Sequence, residues 1–505
     1  MRARIDGLSD EALHTYLAEA VYLERRRLAK SRDASADDER AAIEQAAQAV
    51  HQGPEEMGGA VESLTEQYAD EIHNHFSERT YEMATKLLPG ALSRLLMAPA
   101  GKRDARLNLA NRISIHGPVQ MLQKLAETHT LVLAPTHVSN LDSPIIGFAL
   151  YEAGLPPFIY GAGLNLFGNP AMSFFMSRLG AYTVDRRKRH RVYKDVLKDY
   201  STERIRRGAH SLFFPGGTRC RTGKLETHLK RGLLGTAIQA WQEGLIHGGP
   251  KTEVLVIPCT LSFSLVLEAE TLIEDSLCEQ GKARYIISDD EFSEPTTVYN
   301  FTKKVLGMDA SVHVRFGMPM DLIGNPVDEI GRSVCAGQII DRTRYVTDHT
   351  GRVVTDLQRD KVYTNHLATA LTQAYARDNT VLSTHVVARA AWECLTARYP
   401  RLDTYQQVLL APFERWVDRE ALIKRIRAWV ALIERRAAAG MVHHALPTEG
   451  EDRAETILQD AVKRFASYHS QPAVAHEDWR ILVDPKLALY YGNRLAGLPP
   501  PGEAQ

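Results

Sequence analysis

Apolar and polar positions change their rhythm twice along the chain. From residue 8 to about 110 the period is helical: in DEALHTYLAEAVYLERRRLAK, Leu13, Tyr16, Leu17 and Ala20 share one face, while Glu11, Glu19 and Arg26 fall on the other. A charged linker, SRDASADDER, leads into a second amphipathic helix, and VESLTEQYADEIHNHFSERTYEMATKLLPGALSRLL predicts one or two more. None of these concentrates chemistry.

Short apolar runs then alternate with helical stretches. Strands are predicted at 130–135 (TLVLAP), 157–163, 181–184, 210–215, 252–263 and 311–317. Helices are predicted at 144–153, 170–180, 191–208 and 231–244. Such alternation predicts an α/β fold, a mostly parallel sheet with helices on both faces. From about Asp360 the helical period returns, and REALIKRIRAWVALIERRAAAG closes on Gly440, a suitable C-cap. The expected division is an N-terminal helical region (1–110), an α/β domain (111–325) and a mainly helical C-terminal region (326–505), so that helical regions flank the sheet domain on both sides.

Composition narrows the function classes. The formal net charge of −1 gives no bulk attraction to nucleic acid, so no nucleic-acid partner is expected. Five cysteines without a C-x-x-C pair argue against a zinc ribbon or a disulfide framework and fit a reducing compartment. The polar N-terminus lacks the apolar core of a signal peptide. The nearest approach to a membrane span, Ser143 to Val184, is interrupted by Glu152, Asn165, Asn169 and Arg178.

Four stretches carry candidate chemistry. In LVLAPTHVSNLDSP, His137 and Asp142 lie in the turn after a strand, with Pro144 suited to the first turn of the next helix. Open α/β sheets place ligands at such strand ends. An imidazole there can take a proton from a hydroxyl while a carboxylate fixes its tautomer; alternatively, Asp142 only caps the helix. GAYTVDRRKRH places Arg186 and its basic neighbours after another strand, as an anion site or as a solvated charge run. FFPGGTRCRTGKL combines Gly216 and Gly217, which permit a tight turn, with Thr218, Arg219 and Arg221. It is not a nucleotide P-loop, because Thr218 stands where that motif needs Gly and Leu225 where it needs Ser or Thr. In VLVIPCTLSF, Pro258 is expected to end an apolar strand. No second His or carboxylate sits at ligand spacing near His137, so no metal is expected.

These four stretches, in this order, resemble the glycerolipid acyltransferase family. Its His-x4-Asp motif is matched by His137 and Asp142, and its Gly-x-x-x-x-Arg-Arg motif by Gly180 to Arg186, with Asp185 for the first Arg. Its Phe-x-Glu-Gly-[Thr/Gly]-Arg-Ser-Arg motif is matched by Phe214 to Arg221, and its apolar strand with Pro by Pro258. CRTGKL, the motif spacing, and weaker matches at 379–395 and 487–495 resemble the membrane-bound glycerol-3-phosphate acyltransferases. One departure stands out: Gly216 replaces the family Glu, a carboxylate that the resemblance implies helps shape the acceptor site.

The resemblance implies an O-acyltransferase that moves a fatty acyl group from acyl-CoA or acyl-carrier protein, its co-substrate, to glycerol 3-phosphate in phospholipid synthesis, with no other cofactor. His137 and Asp142 are the implied catalytic pair, and Arg186, Gly216, Gly217, Thr218, Arg219, Arg221 and Pro258 the implied substrate-binding residues. The alternatives are acylation of lysophosphatidate or another alcohol, and a degenerate lipid-binding protein. Lipid chemistry implies a membrane surface as partner and a cytoplasmic location at the inner (plasma) membrane, peripherally held. Leu164 to Met176 is the expected lipid- or acyl-facing stretch.

Overall fold

A computed structural model of the chain describes residues 2–30, 37–81, 83, 112–164, 177–280, 310–477 and 480–502. Strand β2 (Thr130–Pro135) is buried at every position. Its side chains divide by period two: Leu131 and Leu133 join the core on one face of the sheet, and Val132 and Ala134 the core on the other. A strand apolar on both faces belongs in the middle of a covered sheet, and β2 is there. Seven strands, β1 (Ile113–His116), β2, β3 (Ile159–Gly163), β4 (Ala181–Val184), β5 (Ser211–Leu212), β6 (Val254–Phe263) and β7 (Val312–Phe316), follow the order β1-β7-β6-β2-β5-β3-β4. β6, β2, β5, β3 and β4 run parallel. β7 is antiparallel to β6, and β1 is parallel to β7.

The helix Asp142–Glu152 and the C-terminal helices Ser383–Ala397 and Pro485–Gly492 share the core on one face. Arg231–His247 and Leu357–Arg377 cover the other. The N-terminal helices Asp10–Leu28, Asp37–Ala49 and Pro54–Ile72 form a separate cluster against Arg191–Arg206 and edge strand β4. The expected mostly parallel sheet with helices on both faces and helical flanks is therefore the fold observed.

Several details differ from the sequence reading. β1 escaped it, because ISIH offers only four residues of alternation. The C-terminal region contains strands as well as helices: Trp416–Asp418, Arg480–Val483 and Val474–Glu477 form a small antiparallel sheet. Gly440 does follow the helix Arg419–Ala438 with φ +68°. Pro258 does not end β6. The strand runs on to Phe263, and Pro258 sits level with Ala134. On the β7 side, pairing breaks between Val256–Met320 and Cys259–Phe316, and a residue without an N–H fits in that break. The helix expected at 170–180 falls largely, and the lipid-facing stretch from residue 165 onward wholly, outside the described residues. Among the described residues no helix is long and apolar enough to cross a membrane.

Candidate active site

The turn between β2 and the next helix is organised by one carboxylate. Asp142 Oδ2 accepts Nδ1–H of His137 at 2.7 Å, the Val138 N–H at 2.6 Å and the Ser139 N–H at 3.0 Å. Asp142 is fully buried, and its side chain turns back toward the loop rather than capping the helix it begins. With Nδ1 committed to the carboxylate, Nε2 of His137 is the nitrogen left to accept a proton. Phe214, from the turn after β5, stacks on the imidazole at 4.3 Å between ring centroids.

Both backbone groups of His137 are held by the segment that follows β5. Its carbonyl accepts Cys220 N–H at 2.8 Å, and its N–H donates to Glu226 Oε1 at 2.9 Å. That segment closes on itself, with Lys230 N–H donating to Pro215 O at 2.7 Å. Gly217 turns the chain at φ +77°. β2 and β5 are adjacent parallel strands, which brings their carboxyl ends together.

A second carboxylate fixes the rest of the turn. Glu268 accepts from Ser139 Oγ and Asn140 N, each at 2.9 Å, and Arg219 Nη1 reaches it at 3.5 Å. Burial raises the Glu268 carboxyl above its ordinary range, with Arg219 opposing the shift. Burial likewise pushes Glu226 up to about 7, and the neighbouring Asp142 charge adds to it, against the His137 N–H and Arg494. The Glu226 stem is partly exposed, but its Oε2 is enclosed.

The C-terminal region completes the enclosure. Arg494 is buried beneath the site, bonded to Asn379 Oδ1 at 2.7 Å, Leu261 O at 2.6 Å and Ser262 Oγ at 3.2 Å. Its charge interacts with both Glu226 and Asp142. Asn493 Nδ2 donates to Thr222 O at 2.8 Å, and Tyr375 Oη to Ala134 O at 2.9 Å. A small cavity lined by Val138, Gly223, Tyr490 and Arg494 lies in this contact.

The sequence-expected residues therefore divide. His137, Asp142, Gly216, Gly217, Thr218, Arg219 and Arg221 lie in the two apposed loops. Pro258 is buried within β6, level with Ala134. Arg186 is exposed after edge strand β4, separated from β2 by β5 and β3, roughly 14 Å across the sheet at ordinary strand spacing. Of its basic neighbours, Lys188 is buried over the Tyr68 ring and paired with Glu71 of the N-terminal helices, and Arg187 is held within its own turn by Asp185 at 2.9 Å. Glu226, Glu268 and Arg494 were missed. Each lies in irregular chain or a short helical turn, with no periodicity to mark it.

Residues 114–262, which span the sheet from β1 to β6 and hold the strand-end dyad, match the family model Acyltransferase. Among characterised relatives, the glycerol-3-phosphate acyltransferase of Haemophilus ducreyi is 29% identical over 259 residues, which are 51% of this chain and 28% of that protein. The match thus spans little more than a quarter of that relative's length. A crystal structure of a 1-acyl-sn-glycerophosphate (LPA) acyltransferase from Thermotoga maritima shares 16% identity, over 52% of this chain and 77% of that one, with a TM-score of only 0.26.

Proposed function

We propose that the chain is an O-acyltransferase that acylates a hydroxyl of glycerol 3-phosphate from a fatty acyl thioester, acyl-CoA or acyl-carrier protein. The observation that carries this reading is the His137–Asp142 pair at 2.7 Å, with both ends of the His137 peptide clamped at the carboxyl edge of the sheet. The named relative supplies the choice of acceptor.

In this mechanism the acceptor O–H lies against His137 Nε2. As its oxygen attacks the thioester carbonyl, the proton passes to Nε2, and Asp142 stabilises the imidazolium. The tetrahedral intermediate collapses with cleavage of the C–S bond. The thiolate leaves and takes the proton back from His137. One C–O bond replaces one C–S bond, the proton ends on the thiol, and no acyl-enzyme forms. Arg221 and Arg219, beside Gly216, Gly217 and Thr218, bind the acceptor phosphate, for which a guanidinium is well shaped. Pro258 acts only by shaping the sheet under the site, and Arg186 meets the substrate only at its periphery. A lipid product favours work at a membrane surface, on the cytoplasmic side of the inner membrane and held peripherally.

Purified protein given radiolabelled acyl-CoA or acyl-carrier protein and a panel of acceptors tests this. Product with glycerol 3-phosphate supports it. Product only with lysophosphatidate or another alcohol moves the acceptor assignment, and binding without turnover refutes catalysis. His137→Ala is expected to lose roughly 10²–10⁴ in rate, the usual share of a general base.

A further inference from the structure

Glu226 is unaccounted for by the dyad. Its Oε1 holds the His137 N–H at 2.9 Å, while Oε2 is enclosed without a hydrogen-bond partner. The carboxylate presses against the bare face of Gly216. A β-carbon there would stand 2.5 Å from Oε1, 2.7 Å from Cδ and 3.0 Å from Oε2, all closer than van der Waals contact allows. Gly216 is not among the glycines with positive φ, so its backbone accepts a side chain; one there must displace the Glu226 carboxylate. Position 216 and the carboxylate of residue 226 compete for one volume. The glycine that breaks the Phe-x-Glu-Gly pattern is thus the condition for a carboxylate arriving from further along the same loop.

Building on the acyltransfer reading, we propose that Glu226 is a positioning residue of the site: its carboxylate fills the space left open at Gly216 and holds the His137 peptide, so that the imidazole meets the acceptor hydroxyl. It touches His137 through the main chain only, and acts through it. Asp142, Arg494 and Tyr375 are the other titratable groups whose charges reach it.

The test is a double-mutant cycle on the full chain with Gly216→Ala, Glu226→Ala and the pair. Acyl transfer from acyl-CoA to glycerol 3-phosphate is measured alongside thermal melting. Each single change is expected to lower kcat roughly tenfold, the effect of losing one buried hydrogen bond at the base, with a smaller change in the KM for acyl-CoA. The double variant is expected to be no slower than Glu226→Ala alone, because without the carboxylate the new methyl displaces nothing. Glu226→Gln, which keeps an oxygen for the His137 N–H, recovers most of the Glu226→Ala loss. Multiplicative losses in the double variant, or wild-type kcat in Gly216→Ala, overturn the proposal. A second readout needs no turnover: the ¹H–¹⁵N resonance of the His137 backbone amide, the group that donates to Glu226, assigned by selective labelling of histidine and its loss in His137→Gln. Shifts in the same direction in both single variants and the double support the proposal, and a resonance unmoved in all three overturns it. Absence of turnover in the wild type, with these shifts intact, fails the acyltransfer reading alone.

Discussion

Replacing Asp142 separates the two duties of its carboxylate. Oδ2 accepts from His137 Nδ1, Val138 N and Ser139 N, and Oδ1 is buried without a partner. In Asp142→Ala both backbone N–H groups lose their acceptor at positions closed to water, since Val138 is 8% and Ser139 1% exposed. A buried unpaired donor costs about 1–3 kcal/mol, so the pair costs about 2–6 kcal/mol, a large share of a typical domain's stability. In Asp142→Asn the amide oxygen can take the place of Oδ2 and keep both backbone bonds. The amide nitrogen then falls where Oδ1 was unpartnered, which costs about 1–3 kcal/mol. The charge that stabilises the imidazolium is gone in either variant. Asp142→Asn is therefore expected to melt closer to the wild type than Asp142→Ala, yet to lose roughly 10²–10⁴ in kcat, as orienting carboxylates do. Paired with His137→Ala it should add almost no further loss, because the two act as one unit. Calorimetric melts and initial rates of acyl transfer on matched samples read both effects. A folded Asp142→Asn protein within threefold of the wild-type rate refutes the dyad, and an Asp142→Ala protein with an unchanged melt refutes the clamp.

Two other outcomes follow from geometry and charge. Gly223→Ala adds a β-carbon at φ +75°, 2.0 Å from Tyr490 O, so faster amide exchange over 485–495 and a lower melting temperature are expected; unchanged exchange there would show that this contact does not hold the C-terminal region. Burial depresses His190 and His385 to about 3, and His129, His210, His313 and His469 to about 4. Below the ordinary value of 6.5 the unfolded chain binds protons that the folded chain refuses. Stability should therefore fall from pH 6.5 toward 4, by up to about 1.4 kcal/mol per pH unit for each such histidine. A denaturant midpoint unchanged between pH 7 and 5 would refute this.

The middle of the sheet was legible because β2 and β6 are buried on both faces, and runs such as TLVLAP and VLVIPCTLSF have few other uses. The dyad was legible as a spacing and a place, the turn after a strand. What Asp142 does was open between two roles, orienting His137 or capping the helix, and the folded turn shows it reaching back to His137. DRRKRH read as an anion site or a solvated charge run, and the spacing did not record that Lys188 turns inward, because its partners, Glu71 and Tyr68, lie more than a hundred residues earlier. Glu226 was hidden for a similar reason. Its significance comes from lying against Gly216 in space, and no period along the chain records an absent side chain being replaced from a neighbouring turn.

The ties on His137 also set a schedule for the nascent chain. During synthesis the imidazole leaves the ribosome long before Cys220 and Glu226, which grip its peptide, and longer still before Arg494, which lies beneath it. A partly made chain holds the dyad's sequence without its geometry. The same holds for a fragment cut to the 114–262 match, which lacks Glu268 and Arg494. On the acyltransfer reading, competence for chemistry waits for the C-terminal segment to dock, and truncated copies are expected to match the family model without turning over.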